Sequence, residues 1–499
     1  MKKTRKCIFL VVNSGFEARY LLRTDIFKEL KKQIEKIVIV TPNADEDYFK
    51  QEFQKDNVHI EGLNSEKCEE FLRKSKGQLS FQLIRGFVLN GKYDLKTVDG
   101  RYEIFVKESP AKDFIAKSKH LIIHIIVKLL RASKILRKLF LWLECRLYSP
   151  DIHKKLFEKH KPDLIITTSL GNVARNFDSF IIREAKKYGA KIATIILSWD
   201  NTTSKGMAGA IPDHIIAWTE VMKKELLEYH DFPINEVSIG GIAHFDTYYR
   251  KEELLSKEMI FKKFNLDINK KLIFFATKSP TAYPWNVDIA YIIAEAIAKE
   301  KISFPAQLLI RLHPLHYGVK WNQKIHIHLI KEFDKIVERY SFVKIDKPEI
   351  LSDKLTMDMP EFEQIKVASI LKYSDVLMNI FSTLNIEAAI MNVPIVNIVF
   401  EGKSQRKKRA RQSIEIDLNE VHNQRVIATG ALKMCYNPEE LITSINDYLN
   451  NPSLNKEQRK VLVEQEAGPF KGTAGKEVAG IIMRLLQNSD QFIDKAQAY

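Results

Sequence analysis

Cysteine is scarce in this 499-residue sequence. The four residues, Cys7, Cys68, Cys145 and Cys435, lie far apart and form no CxxC pair. That excludes a disulfide framework and a cysteine-based zinc site, and it points to a reducing compartment. No apolar run reaches the ~18 residues of a membrane span. Cys7–Val12 follows the basic start Met1-Lys2-Lys3-Thr4-Arg5-Lys6, but it is short and has no A-x-A site after it. It reads as a buried first strand, not as a signal peptide. Low-complexity tracts and short-period repeats are absent too, which excludes a mainly disordered chain and a solenoid. Neither GxxxxGK[ST] nor HExxH occurs. Asp45-Glu46-Asp47 has a D-x-D spacing, but it opens a helix pattern, where acids suit the dipole. No metal site is expected.

What is present is alternation. Short apolar strands at Cys7–Val12, Ile37–Thr41, Val58–Glu61, Asp163–Thr168, Lys191–Leu197 and His214–Trp218 alternate with helical patterns such as Thr24–Gln33 and Asp47–Gln54. The rhythm restarts after about Glu236 with Lys271–Ala276, Gln307–Leu312, Asp375–Ile380 and Ile395–Val399. Such alternation implies parallel sheets with helices on their faces. The expected fold is α/β, two Rossmann-like domains facing a central cleft, 1–235 and 236–499. The helix pattern Gly475–Gln487 is a candidate to cross back to the first domain.

A basic helical segment, about 111–150, interrupts the first domain, and a basic loop, Gly402–Arg411, interrupts the second. They carry much of the net charge of +15, which calls for an anionic partner. No nucleic-acid motif accompanies these residues, so nucleic acid is not the expected partner. The apolar side of Lys112–Arg146 and its Trp142 suit either packing on the first domain or an anionic membrane surface.

Four strand ends carry candidate chemistry, because open α/β sheets bind ligands at the carboxyl ends of their strands. Ser382 and Thr383 start a helix, where free amides hold phosphate, and Glu387 follows one turn later to take ribose hydroxyls. Arg311 and His313, in Arg311-Leu312-His313-Pro314, can meet phosphate oxygens. Lys278 ends the strand before. In Ser198–Gly206, Asp200 is the candidate general base, with Trp199 and Asn201 as acceptor-binding neighbours. Asp178 and Glu17 are alternative acids. Plainer readings stand beside these: a capped helix with a surface glutamate, a solvated lysine, and an Asx turn at Asp200 and Asn201.

The order of these motifs resembles two-Rossmann-domain (GT-B type) glycosyltransferases. Gly240-Gly241 with His244-Phe245-Asp246 is similar to their hinge motif, with Ala243 in place of the usual proline. Arg311–Pro314 and Ser382–Pro394 resemble segments of CDP-glycerol glycerophosphotransferases, and Ser198–Gly206 resembles a motif of surface-polysaccharide transferases. The likeness covers roughly 160–480. It implies transfer of a sugar from a nucleotide-sugar donor, bound by the second domain, to a cell-surface glycan or lipid-linked acceptor, bound by the first. It implies no cofactor and a cytoplasmic enzyme, in solution or peripheral on the inner membrane face. The alternatives are glycerophosphate transfer, a non-hydrolysing sugar-nucleotide epimerase, and a basic nucleic-acid-binding protein.

Overall fold

The computed structural model describes residues 4–93, 95–109, 114–172, 177–316, 323–404 and 412–487. The chain divides into two compact units, Met1–Ala243 with Thr473–Tyr499, and His244–Gly472.

The first unit holds seven strands: β1 (Thr4–Val11), β2 (Ile34–Thr41), β3 (Val58–Gly62), β4 (Leu164–Thr167), β5 (Lys191–Ile195), β6 (His214–Ala217) and β7 (Val237–Ile239). They pair in parallel in the order β3-β2-β1-β4-β5-β6-β7. Strand order therefore reverses between β1 and β4. The central strands are unbroken apolar runs because helices cover both faces of a parallel sheet. Phe9, Val11, Val38 and Ile165 form a core with Phe180, Ile181 and Ile182 of the helix Asp178–Lys187.

The second unit has six parallel strands: β8 (Lys271–Ala276), β9 (Ala306–Arg311), β10 (Val343–Asp346), β11 (Val376–Asn379), β12 (Ile395–Ile398) and β13 (Leu432–Cys435). Their order is β10-β9-β8-β11-β12-β13, so the reversal falls between β8 and β11. Phe275, Ile310, Met378 and Val396 fill the core with Ile289 and Ile293 of the helix Asn286–Ala298.

The domain boundary expected at 235/236 falls at 243/244. Val237–Ile239 adds a seventh strand to the first sheet, pairing Ile215 with Val237 and Ala217 with Ile239. The chain also returns: the helix Ala474–Gln487 belongs to the first unit. Gly475 lets it approach the helix Asp25–Gln33, since a Cβ there would lie 2.9 Å from that of Asp25. The division at 243/244 falls within the segment Gly240–Asp246 that resembles a hinge.

The basic segment of the first unit is a hairpin of two helices, Phe114–Ala132 and Lys134–Leu147. Between them Ser133 caps the second helix, its hydroxyl accepting the Leu136 amide at 3.3 Å. Of the basic loop Gly402–Arg411, residues 405–411 lie outside the described residues, as does Lys112.

Candidate active site

In the first unit, two acids meet where the strand order reverses. Glu17 follows β1 in a short helix, Gly15–Glu17, which continues as a π-turn, Ala18–Leu22. That turn is closed by the Arg23 amide on the Ala18 carbonyl at 3.1 Å, a geometry frequent at functional sites. Asp178 opens the helix after β4. Both are buried, with Glu17 2% exposed and Asp178 0%. Asn13, just beyond β1, joins them. Its side-chain amide donates to Asp178 Oδ1 at 2.7 Å, and its backbone amide donates to Glu17 Oε2. The backbone amides of Thr168 and Ser169 donate to Asp178 Oδ2 at 3.0 and 2.9 Å.

These environments separate the two carboxyls. Three N–H donors favour the charged form of Asp178. Burial pushes the Glu17 carboxyl up to about 8, and the negative charge of Asp178 pushes in the same direction, against hydrogen bonds from Asn13 and Thr168. Glu17 is therefore an acid through neutral pH. Gly171 supports this corner. Its φ of +70° is open to glycine, and a Cβ there would lie 2.4 Å from that of Ser179, next to Asp178.

Asp200 is placed differently from the expectation of a free base. Ser198 Oγ donates to its Oδ1 at 2.6 Å, and Ser204 Oγ to its Oδ2 at 2.7 Å. Lys205 Nζ lies 2.8 Å from Oδ2. The carboxylate thus organises its own turn. Trp199 and Asn201 are buried beside it. Asp178, the alternative acid, is fully buried, and two of its donors sit on the loop after β4.

In the second unit, the predicted residues gather at the ends of β8, β9 and β11. Thr277 ties two of these ends together: its hydroxyl accepts the His313 amide at 2.8 Å and donates to the Arg311 carbonyl at 3.2 Å. His313 Nδ1 accepts the Leu315 amide at 3.1 Å. Burial and the nearby His316, Arg311 and Lys278 hold this imidazole down to about 3. It is neutral, carries its proton on Nε2, and can meet a phosphate oxygen as an uncharged donor.

Arg311 is not free to meet a phosphate. Its guanidinium pairs with Asp346 and, at 2.9 Å, with Glu363. Lys366 completes that buried network at 2.8 Å from Asp346 and 2.6 Å from Glu363. Both carboxylates occupy the arginine, so it braces β9 against β10 and the helix Glu361–Tyr373. Lys278 pairs with Asp417, a residue the sequence reading did not single out.

At the end of β11, Phe381 takes a φ of +37°, in the left-handed region. Its amide is held by Asn397 Oδ1 at 2.9 Å. This strained residue turns the chain into the helix Leu384–Ile390, leaving Ser382 and Thr383 half-buried at its start. Ser382 Oγ accepts the Leu384 amide at 3.3 Å; Thr383, the cap position, makes no side-chain cap. Glu387 is buried, not on the surface, and its Oε2 accepts the Tyr248 hydroxyl. Among the described residues, no group of three or more His, Cys, Asp or Glu is placed to hold a metal.

Compared by sequence, the chain matches no protein-family model and no curated protein. Compared by structure, it is similar to a putative UDP-N-acetylglucosamine 2-epimerase from Listeria monocytogenes, with a TM-score of 0.53 and 10% identity over 98% of this chain and 97% of that one. The UDP-GlcNAc 2-epimerase of Neisseria meningitidis, solved with UDP-GlcNAc bound, gives 0.52 and 12% over 96% of this chain and 100% of that one. The fold is the GT-B fold. The UDP-GlcNAc 2-epimerase of Methanocaldococcus jannaschii, with a TM-score of 0.50 and 14% identity over 96% and 100%, agrees. Each GT-B protein of this kind has two Rossmann-like domains, and the two parallel sheets here are those domains.

Proposed function

We propose that this chain is a nucleotide-sugar enzyme of the non-hydrolysing epimerase type, with Glu17 and Asp178 as its proton-transfer groups. The observation that carries the reading is the buried carboxyl pair at the switch point of the first sheet. Changing the configuration of a C–H centre requires a proton to leave to a base on one face and return from an acid on the other. A carboxyl kept protonated beside one that accepts three N–H hydrogen bonds is such a pair, made by environment alone. Three of the solved structures it resembles along nearly its whole length are UDP-GlcNAc 2-epimerases, one of them putative, which supports UDP-GlcNAc as the first substrate to try.

A hydrogen on sugar C2 is not acidic by itself. Its removal is therefore coupled to departure of the nucleotide diphosphate from C1. Taken by itself, the second unit carries donors suited to a diphosphate at its strand ends: the Nε2–H of His313 and the hydroxyls of Ser382 and Thr383. No metal or cofactor enters this scheme, so exchange should survive EDTA.

Glycosyl transfer is the second reading, supported by the likeness of Ser198–Gly206 and Arg311–Pro314 to transferase motifs. One experiment separates the two. Incubated with UDP-GlcNAc in deuterium oxide, an epimerase returns sugar nucleotide labelled at C2, and Glu17→Gln abolishes the label. Consumption of UDP-GlcNAc only when an acceptor is added, without label, would replace epimerisation by transfer.

A further inference from the structure

The helical hairpin of the first unit is apolar on two opposite faces. One face is buried. Ile123, Val127 and Leu130 of the helix Phe114–Ala132, and Leu141 of the helix Lys134–Leu147, pack with Phe87 and Met207. The opposite face is bare. Leu121, Ile125 and Leu129 recur at four-residue steps on the first helix, and Ile135, Leu139 and Trp142 at helical steps on the second. These six are 48–78% exposed, and three more exposed residues join them. Nine of the nineteen large apolar side chains exposed among the described residues thus belong to this one hairpin. Single exposed apolar residues are ordinary on a protein surface, but a concentration of this kind marks an interaction face.

Its charge is of one sign. Lys117, Lys119, Lys128, Lys134, Lys138 and Arg146 are exposed. The one acid in 114–147, Glu144, is buried between Arg85 and Arg183 at 2.7 Å from each. Beside the bare face runs an apolar crevice of about 500 Å³, lined by Leu83, Ile84, Ser118, Lys119, Ile122 and Ile126.

We propose that this hairpin docks on an anionic lipid bilayer, its apolar face among the acyl chains and its cations among the headgroups. The charge pattern selects this occupant. A second copy related by two-fold symmetry would bring like charges together. Nucleic acid would meet the cations but leave the leucines and isoleucines uncovered. No helix among the described residues is long and apolar enough to cross a membrane, so the contact is with one face of the bilayer. The crevice offers an apolar lining of leucine and isoleucine next to that face.

Flotation of the full chain with vesicles tests this independently of its chemistry. At low salt, vesicles with phosphatidylglycerol should carry the protein and pure phosphatidylcholine vesicles should not. The double variant Ile125→Glu, Leu139→Glu should lose about tenfold or more of that binding while melting as the parent does, because both side chains are exposed. Absence of binding at low salt overturns the proposal, as does equal binding to both lipids or a double variant that binds like the parent. A solution dimer that Leu139→Glu dissociates, without vesicle binding, assigns the face to a second copy instead.

Discussion

Glu17→Gln isolates the buried carboxyl pair by a change of stability that needs no substrate. In the folded chain the carboxyl titrates at about 8, against an ordinary 4.5. Between those values the native state keeps a proton that the unfolded state has released. Stability therefore falls as pH rises through this window, by about 1.4 kcal/mol per unit for this one group. Across the window that is on the order of 3–5 kcal/mol. Glutamine has the same size, has no proton to lose, and keeps an oxygen for the Asn13 amide. Parent and variant should unfold alike near pH 5, and the variant should be the more stable by a few kcal/mol near pH 9. Calorimetry at constant ionic strength reads this, since it can separate the transitions of two units. Parallel pH profiles would mean that Glu17 is already ionised in the native state, and the acid role would fall with it.

Four other outcomes follow from the same geometry. Asp178→Ala leaves the amides of Thr168, Ser169 and Asn13 without their acceptor, at about 1–3 kcal/mol for each buried group; a melting temperature equal to the parent's would contradict the described hydrogen bonds. Arg311→Ala leaves Asp346 and Glu363 buried with Lys366 alone and should destabilise by about 3–5 kcal/mol. A variant that folds normally and loses only nucleotide affinity would return Arg311 to the phosphate site. Because His313 is neutral down to about 3, its contribution to nucleotide affinity should stay flat between roughly pH 5 and 8; titration calorimetry on the parent and His313→Gln compares the two. Asp200→Asn should lower the melting temperature by loosening its turn yet keep turnover within a few-fold, and a loss near the ~10²–10⁴ of general base catalysis would restore it as the base.

The strands of the two central sheets were readable because parallel sheets bury both faces. Runs such as Ile37–Thr41 and Lys271–Ala276 carry that requirement in consecutive residues. Three strands left no such signal. Val237–Ile239, Val343–Asp346 and Leu432–Cys435 are short and lie at sheet edges, with half-buried positions in each. That is why the boundary between the units was placed too early. The strand-end groups Lys278, His313, Ser382 and Thr383 were legible for a different reason: topology puts such ends on one edge of a sheet whatever the side chains do.

Sequence by itself determined the architecture, because hydrophobic periodicity is local and survives without knowledge of partners. It also confined the candidate chemistry to a handful of strand ends. Which acids are poised there was decided by tertiary structure. Glu17 and Asp178 lie 161 residues apart in number, and only the parallel pairing of β1 with β4 brings the ends of those strands together. Asp200 looked no less catalytic in sequence until Ser198, Ser204 and Lys205 closed around it. Arg311 read as a phosphate ligand until Asp346 and Glu363 took its guanidinium. Charge state is a property of surroundings, set by desolvation and by neighbours distant along the chain. A one-dimensional pattern holds the residue types, and the fold alone decides which of them titrate where a reaction can use them.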